Sequence, residues 1–153
     1  MMTIASKVIS QLAGKTLVTA ESLTGGGIGN VLTAVPGASA VFKGGIISYT
    51  NEVKRDVLGV PDEILQRYGA VSPWTAGYMA SGARKLLKAD VAVSVTGLAG
   101  PSGDEFGHEV GRVFIGFESS ARALVKQYHF SGDREAVRTQ TIEAALQLVL
   151  ENL

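Results

Sequence analysis

The apolar positions of this chain alternate between helical spacing and short unbroken runs. Ile4, Val8 and Leu12 recur at helical spacing before Gly14, whereas Val91 to Val95 form a continuous run typical of a buried strand. The same reasoning predicts helices over 3–12, 28–35, 51–58, 61–68, 73–88 and 135–153, and strands over 16–20, 44–49, 91–95, 113–118 and 124–130. Helices that alternate with strands indicate an α/β fold in which helices cover both faces of one sheet.

Turn and cap residues mark the ends of these elements. Pro36-Gly37 and Gly59 end predicted helices, Asn51 is a good N-cap, and Ser72-Pro73 has the cap-then-proline order of a helix start. The last two strands flank Ser119-Ser120 and should form an antiparallel hairpin, so we expect a mixed, mostly parallel sheet. No repeat or linker interrupts the pattern, which predicts a single domain over 1–153.

Composition and charge exclude some classes of function. Of the 153 residues, 46% are hydrophobic, while 14 basic and 14 acidic residues give a net charge of zero. Nucleic-acid binders usually carry a basic excess, so we expect no nucleic-acid partner, and the low net charge leaves a homodimer open. No apolar run reaches the length of a membrane span, and the N-terminus does not resemble a signal peptide. We therefore expect no membrane partner and a cytoplasmic location.

The side chains that are missing limit the chemistry. The chain has no cysteine, which excludes disulfides, zinc–thiolate sites and thiol catalysis. Only two histidines, His108 and His129, are present, so a Ser-His-Asp triad has few ways to form. No cluster of metal ligands is visible, and we expect neither a metal nor a cofactor.

A glycine-rich turn follows the first predicted strand. It contains Ser22, Thr24 and three glycines at 25–27 and leads into a helix, whose first turn offers unpaired N–H groups. One interpretation is an anion pocket beside a serine nucleophile, and the other is a tight turn in which Thr24 merely caps the helix. A P-loop is excluded because no lysine follows the glycines, and the GxGxxG fingerprint fails at Asn30.

Tyr49 and Lys54 lie where the second predicted strand enters a helix. Lys54 falls near the first helical turn, where the positive end of the helix dipole should lower the pKa of its amine. A lysine with a lowered pKa can accept a proton from a hydroxyl nucleophile without a histidine. The alternative is a solvated face formed by Lys54 and Arg55, with Tyr49 half-buried in the strand. The Tyr-x-x-x-Lys pair of short-chain dehydrogenases does not fit, because four residues intervene here.

Six segments in this order resemble the CinA C-terminal family and extend over nearly the whole chain. They are Ala20 to Gly26 (AESLTGG), Val35 to Phe42 (VPGASAVF), Gly45 to Lys54 (GIISYTNEVK), Tyr68 to Ser72 (YGAVS), Thr96 to Pro101 (TGLAGP) and Phe130 to Arg134 (FSGDR). The resemblance implies a three-layer α/β/α sandwich. It also implies hydrolysis of the carboxamide of nicotinamide mononucleotide, giving nicotinic acid mononucleotide and ammonia in pyridine-nucleotide salvage.

The resemblance also implies roles for individual residues. Ser22 corresponds to the nucleophile, while Tyr49 and Lys54 correspond to the residues that activate it and protonate the leaving ammonia. Backbone N–H groups from Thr24 to Gly26 are candidate donors to the oxyanion. The predicted substrate-binding residues, which include the phosphate ligands, are Thr24, Gly25, Gly26, Asn51, Gly97, Gly100, Ser131 and Arg134.

Two departures from the family pattern keep alternatives open. Leu23 replaces the usual cysteine beside the serine, and His108-Glu109 replace a lysine and a proline in the loop 106–111. The altered loop motivates two alternatives: a nucleotide-binding module without catalysis, or an amidohydrolase for another phosphorylated amide. Because the larger domain that precedes this module in full-length relatives is absent, we expect a stand-alone form.

Overall fold

The computed structural model describes residues 2–153, which are built around one five-stranded sheet with the strand order β2-β1-β3-β4-β5. The strands are β1 (Leu17–Glu21), β2 (Phe42–Ile47), β3 (Val91–Gly97), β4 (Arg112–Ser119) and β5 (Ala123–His129). The α-helices in this part of the chain are α1 (Ile4–Gln11), α2 (Gly27–Thr33), α3 (Asn51–Asp56), α4 (Asp62–Tyr68), α5 (Pro73–Leu86) and α6 (Arg134–Glu151). A short 3-10 turn lies at Ala38–Ala40.

Four of the five strands point in the same direction. Strand β1 pairs in parallel with both β2 and β3, whereas β4 is antiparallel to β3 and β5 is antiparallel to β4. Only β4 therefore runs against the others. The predicted α/β fold with a mixed, mostly parallel sheet is confirmed.

The two faces of the sheet pack against different helices. Val91, Val93 and Val95 of β3 belong to a core formed with α1, α2 and α6, while Ala92 between them belongs to a second core formed with α5. This follows from the alternation of side chains along a strand. The result is the expected three-layer α/β/α sandwich.

Helix α5 lies unusually close to the chain that precedes α4. A Cβ atom at Gly82 would lie 1.8 Å from the carbonyl oxygen of Leu58, so no other residue fits there without a shift of the backbone. The rest of this interface uses small residues such as Ala80 and Ala83, which are almost completely buried. This packing holds α5 firmly against the sheet.

Several element boundaries differ from the predictions. Strand β2 begins at Phe42 and ends at Ile47, so Tyr49 lies beyond the strand. The N-cap of α3 is Thr50, whose hydroxyl accepts a hydrogen bond from the Val53 N–H at 3.3 Å, and the predicted cap Asn51 is instead the first helical residue. Ser72 caps α5 as predicted.

The carboxyl ends of β1, β2 and β3 meet at one edge of the sheet. The turn after β1, the segment after β2 and the loop after β3 therefore converge there, as is usual for ligand sites in open α/β sheets. None of the helices formed by residues 2–153 combines the length and the apolar character needed to cross a bilayer.

Candidate active site

A cavity of about 280 Å³ lies at this edge of the sheet. Six of the predicted site residues line it, namely Ser22, Tyr49, Lys54, Gly97, Gly100 and Arg134. The cavity brings together five segments that are distant in sequence: the turn after β1, the segment from β2 into α3, the segment between α4 and α5, the end of β3 with the loop after it, and the start of α6.

Ser22 and Lys54 form a buried pair on the floor of this cavity. The Lys54 Nζ donates to the Ser22 Oγ at 3.0 Å and to the carbonyl oxygen of Ser48 at 2.6 Å. Ser22 is 7% exposed and Lys54 is 1% exposed. The hydroxyl is thus within proton-transfer distance of an amine that is almost fully removed from water.

Burial lowers the pKa of Lys54 from 10.5 to about 8. The predicted direction is confirmed, but the predicted cause is wrong. Lys54 lies in the last turn of the six-residue helix α3, and desolvation of the charged form, not the dipole at the start of the helix, accounts for the change. At pH 8 about half of the Lys54 amines are neutral and able to accept a proton from Ser22.

Tyr49 lines the same cavity but has no hydrogen bond to Ser22 or Lys54 in the described structure. It is 59% exposed, and its phenol oxygen accepts a hydrogen bond from the Arg134 Nη2 at 3.0 Å. Tyr49, which the family resemblance implies in serine activation, therefore lies at the mouth of the cavity without a hydrogen bond to the serine.

Arg134 connects two sides of that mouth. Besides Tyr49, its guanidinium donates to the carbonyl oxygen of Gly100 at 2.6 Å. Arg134 and Lys54 give the cavity two basic side chains, and none of the described lining residues is acidic. The site is consequently suited to an anionic ligand.

The glycine-rich turn does not form the predicted anion pocket. The side chain of Glu21 occupies the first turn of α2, where its carboxylate accepts hydrogen bonds from the N–H groups of Ile28 at 2.8 Å and Gly29 at 3.1 Å. The hydroxyl of Thr24 is buried and donates to the same carboxylate at 2.6 Å. The protein's own carboxylate thus binds the donors at Ile28 and Gly29, while the predicted oxyanion donors, the backbone N–H groups from Thr24 to Gly26, are not bound by it.

Five of the predicted substrate-binding residues lie outside the lining of the cavity. Thr24, Gly25 and Gly26 belong to the turn that Glu21 holds, and the exposed Asn51 begins α3. Ser131 is exposed, and its carbonyl oxygen accepts a hydrogen bond from Gln140. These placements bring no support for a direct contact with the substrate.

Arg138 of α6 binds the backbone of the turn that carries Ser22. Its Nε donates to the carbonyl oxygen of Leu23 at 2.9 Å, and its Nη2 donates to that of Thr24 at 3.3 Å. Arg138 therefore connects α6 to this turn.

Sequence reasoning missed several residues of the site. Leu23, Ala70, Val71, Thr96 and Ser102 also line the cavity. The N–H of Leu23, directly after the nucleophile, has no hydrogen-bond partner in the described part of the chain. A position after a nucleophile on a strand-to-helix turn is a common source of an oxyanion donor, and this was the signal that could have identified it.

No three His, Asp or Glu side chains of residues 2–153 cluster in a way that could hold a metal ion.

Known proteins resemble this chain over its whole length. The sequence model of the CinA C-terminal domain matches residues 1–153. A CinA-like protein of Thermotoga neapolitana is 44% identical over 139 residues, which is 91% of this chain and 34% of the relative. The chain thus spans about a third of the length of the curated relatives that it matches.

Solved structures agree with the family match. The competence/damage inducible protein CihA from Agrobacterium tumefaciens superposes with a TM-score of 0.93 and 38% identity, covering 97% of this chain and 92% of that one. The competence damage-inducible protein A (ComA) from Klebsiella pneumoniae gives 0.95 and 34%, covering 97% and 94%. From its sequence, its sheet and these likenesses, the chain belongs to the CinA C-terminal domain family.

Proposed function

We propose that this protein hydrolyses the carboxamide of nicotinamide mononucleotide to nicotinic acid mononucleotide and ammonia. The observation that carries the proposal is the buried contact of 3.0 Å between the Lys54 Nζ and the Ser22 Oγ, together with the lowered pKa of Lys54. A hydroxyl beside an amine that is neutral near physiological pH is a nucleophile with its own base. The family resemblance of the sequence supports the choice of substrate.

In the first half of the proposed reaction, the neutral amine of Lys54 takes the proton of Ser22 as the Oγ attacks the carboxamide carbon. The carbonyl oxygen becomes an oxyanion, for which the free N–H of Leu23 is the nearest candidate donor in sequence. The ammonium form of Lys54 then passes its proton to the leaving nitrogen. The C–N bond breaks, ammonia leaves, and the acyl group remains on Ser22 as an ester.

In the second half, water replaces the amine. Lys54, neutral again, takes a proton from the water as its oxygen attacks the ester carbon. The C–O bond to Ser22 breaks, the serine recovers its proton from Lys54, and the product leaves as a carboxylic acid, which then gives its proton to water. One amide and one water are thereby converted into one acid and one ammonia, and the enzyme returns to its starting state.

Arg134 is the candidate phosphate ligand in this proposal. Its guanidinium lines the same cavity as the buried lysine, and Arg is well suited to phosphate recognition. Its present partners are the Gly100 carbonyl oxygen and the Tyr49 phenol, which are neutral groups that an anionic phosphate would outcompete. The loop over 97–100 would then contact the sugar or the ring.

The proposal is tested by incubating the purified protein with nicotinamide mononucleotide and measuring ammonia and the acid product. We expect turnover in the wild type, none in Ser22→Ala, and unchanged turnover in Ser10→Ala, which removes an exposed hydroxyl. Because the neutral form of Lys54 is the base, kcat/KM should fall about tenfold per pH unit below pH 8 and level off above it. Ammonia release no greater than that of Ser22→Ala would reject the proposal.

The altered loop offers little support for a binding-only module. Asp104 accepts a hydrogen bond from the His108 N–H at 2.9 Å and contacts its Nδ1 at 2.9 Å, and the ring of Phe106 packs over Gly69. None of these residues lines the cavity.

Calorimetric binding of the nucleotide without turnover would favour a binding module, and a panel of phosphorylated amides would identify another substrate. A cytoplasmic location and a homodimer stay parts of the proposal.

A further inference from the structure

We propose that Glu21 is a positioning residue that fixes the Ser22 hydroxyl against the Lys54 amine. The inference rests on the proposed function for its role in turnover, but it concerns the reactivity of Ser22 itself. Glu21 does not line the cavity, but its carboxylate would control how Ser22 and Lys54 are placed relative to each other.

The side chain of Glu21 is one of the most completely buried charged groups of the chain, at 2% exposure. Its oxygens accept hydrogen bonds from the Thr24 Oγ1 at 2.6 Å, the Ile28 N–H at 2.8 Å and the Gly29 N–H at 3.1 Å, with a longer contact to the Thr19 Oγ1 at 3.4 Å. No basic side chain among residues 2–153 forms a salt bridge with it. Hydrogen bonds alone satisfy this buried group.

The contact with Thr24 closes a short ring of chain around the nucleophile. Glu21 and Thr24 are linked through their side chains, and Ser22 and Leu23 lie between them. The backbone of Ser22 is held separately, because its N–H donates to the carbonyl oxygen of Val95 at 3.1 Å. With both ends of the turn held, the direction of the Ser22 Cα–Cβ bond is held as well, and the contact with the Lys54 Nζ sets the position of the Oγ.

The main chain of Glu21 extends the same network to the lysine. Its carbonyl oxygen accepts a hydrogen bond from the Ser48 N–H at 2.7 Å, and the carbonyl oxygen of Ser48 in turn accepts from the Lys54 Nζ at 2.6 Å. One residue thus anchors the nucleophile through its side chain and the base through its backbone. A displacement of about 1 Å between reacting groups can cost about a hundredfold in rate.

The two variants that test this inference remove one element of the network at a time. Glu21→Gln keeps the size of the side chain but replaces one acceptor oxygen by a donor, which then faces the backbone N–H of Ile28 or Gly29 and cannot bond it. Thr24→Val keeps the shape of Thr24 but removes the hydroxyl that closes the turn. The matched controls are Glu63→Gln and Thr33→Val, two exposed helix positions.

The first readout uses a small fluorophosphonate, which labels an activated serine without the nucleotide. We follow the labelling of Ser22 by intact mass spectrometry, at a temperature where circular dichroism shows each variant to be folded. We expect the labelling rate to fall about 30- to 100-fold in Glu21→Gln and about 3- to 10-fold in Thr24→Val, with both controls at the wild-type rate.

The second readout is the turnover of nicotinamide mononucleotide. We expect kcat to fall by the same factors as the labelling rate while KM changes less than threefold, because the substrate contacts are intact. The midpoint of the pH profile should stay near 8, since Lys54 remains buried, and only the plateau should fall. A purely structural role of Glu21 would lower the folded fraction and leave the rate per folded molecule unchanged.

The outcomes separate this inference from the proposed function. Labelling of wild-type Ser22 without ammonia release would reject the proposed substrate, and slow labelling of Glu21→Gln would still support the positioning role. Wild-type rates in Glu21→Gln would overturn the positioning role alone. If Glu21→Gln does not fold, Thr24→Val decides, and unchanged labelling of that variant overturns the inference. A wild type that is inert in both assays would overturn both.

Discussion

Replacement of Lys54 by methionine should stabilise the folded protein at pH 7 while it abolishes catalysis. Methionine keeps an unbranched side chain of similar length, so the packing around position 54 changes little. What it removes is a positive charge in a site that is 1% exposed. The charged form of Lys54 should therefore lower the free energy of unfolding, and the variant should recover this loss.

The size of the effect follows from the pKa. A drop from 10.5 in the unfolded chain to about 8 in the fold means that the charged form costs about 3 kcal/mol at pH 7. Methionine also loses two hydrogen bonds, to the Ser22 Oγ and the Ser48 carbonyl oxygen, which together contribute about 1–2 kcal/mol. The expected net gain of Lys54→Met at pH 7 is about 1–2 kcal/mol.

The same reasoning predicts that the sign reverses with pH. Below pH 8, Lys54 is protonated in both the folded and the unfolded state, and the full cost is present. Between pH 8 and 10.5 the unfolded state binds more protons at this group, so the stability of the wild type rises relative to that of the variant. Above 10.5 the lysine is neutral in both states, the cost is gone, and the wild type should be the more stable by about 1–2 kcal/mol.

Urea unfolding followed by circular dichroism at pH 7 and near pH 10.5 measures this difference. Other groups titrate in the same range, but they contribute equally to both proteins and cancel in the comparison. Lys7→Met, at an exposed position of α1, is the matched control and should show no crossing. A difference between Lys54→Met and the wild type that stays constant over this pH range would refute the desolvation argument.

Further predictions concern the packing of α5 and the mouth of the cavity. Gly82→Ala should lower the free energy of unfolding by about 3 kcal/mol, because its Cβ would lie 1.8 Å from the carbonyl oxygen of Leu58. Gly77→Ala in the same helix meets only an ordinary contact and should gain up to about 1 kcal/mol; similar values for the two in urea unfolding would contradict this. Arg134→Gln should raise KM at least about tenfold for nicotinamide mononucleotide and less than twofold for the riboside without phosphate, and equal increases would contradict a phosphate contact. Tyr49→Phe should lower kcat less than about threefold, since the phenol contacts Arg134 and not the buried pair, and a hundredfold loss would contradict that assignment.

The arrangement of the fold was predictable because the hydrophobic pattern is regular. The run from Val91 to Val95 is buried on both faces, as expected for a strand at the centre of a sheet. The edge strand β2 was less clear because glycines 44 and 45 weaken a strand pattern. Gly45 is needed there because a Cβ atom would clash with the Thr19 side chain of the neighbouring β1, a contact that the local sequence does not reveal.

The candidate site was predictable only in part. The family segments predicted that Ser22 and Lys54 act together, and both line one cavity, while the local sequence alone also allowed a solvated Lys54. The glycine-rich turn was predicted as an anion site because the first N–H groups of a helix can bind an anion. The sequence does not show whether a carboxylate of the protein itself already binds them. Glu21 immediately precedes Ser22, but the direction of its side chain depends on how β1 joins α2 in three dimensions.

The two charged side chains that flank Ser22 are buried in different ways, and the difference explains how their roles divide. Glu21 faces donors whose protons are fixed on backbone nitrogens and on the Thr24 hydroxyl, so its surroundings hold it in one place. Lys54 faces two oxygen acceptors and has no acidic partner among the lining residues of the cavity. Burial therefore lowers the pKa of its amine. In the proposed reaction, Glu21 thus holds the serine in place and Lys54 exchanges its proton with it. A substitution at position 21 should therefore change the height of the pH profile, whereas a new acidic group beside Lys54 would raise the pKa of the lysine and move the profile to higher pH.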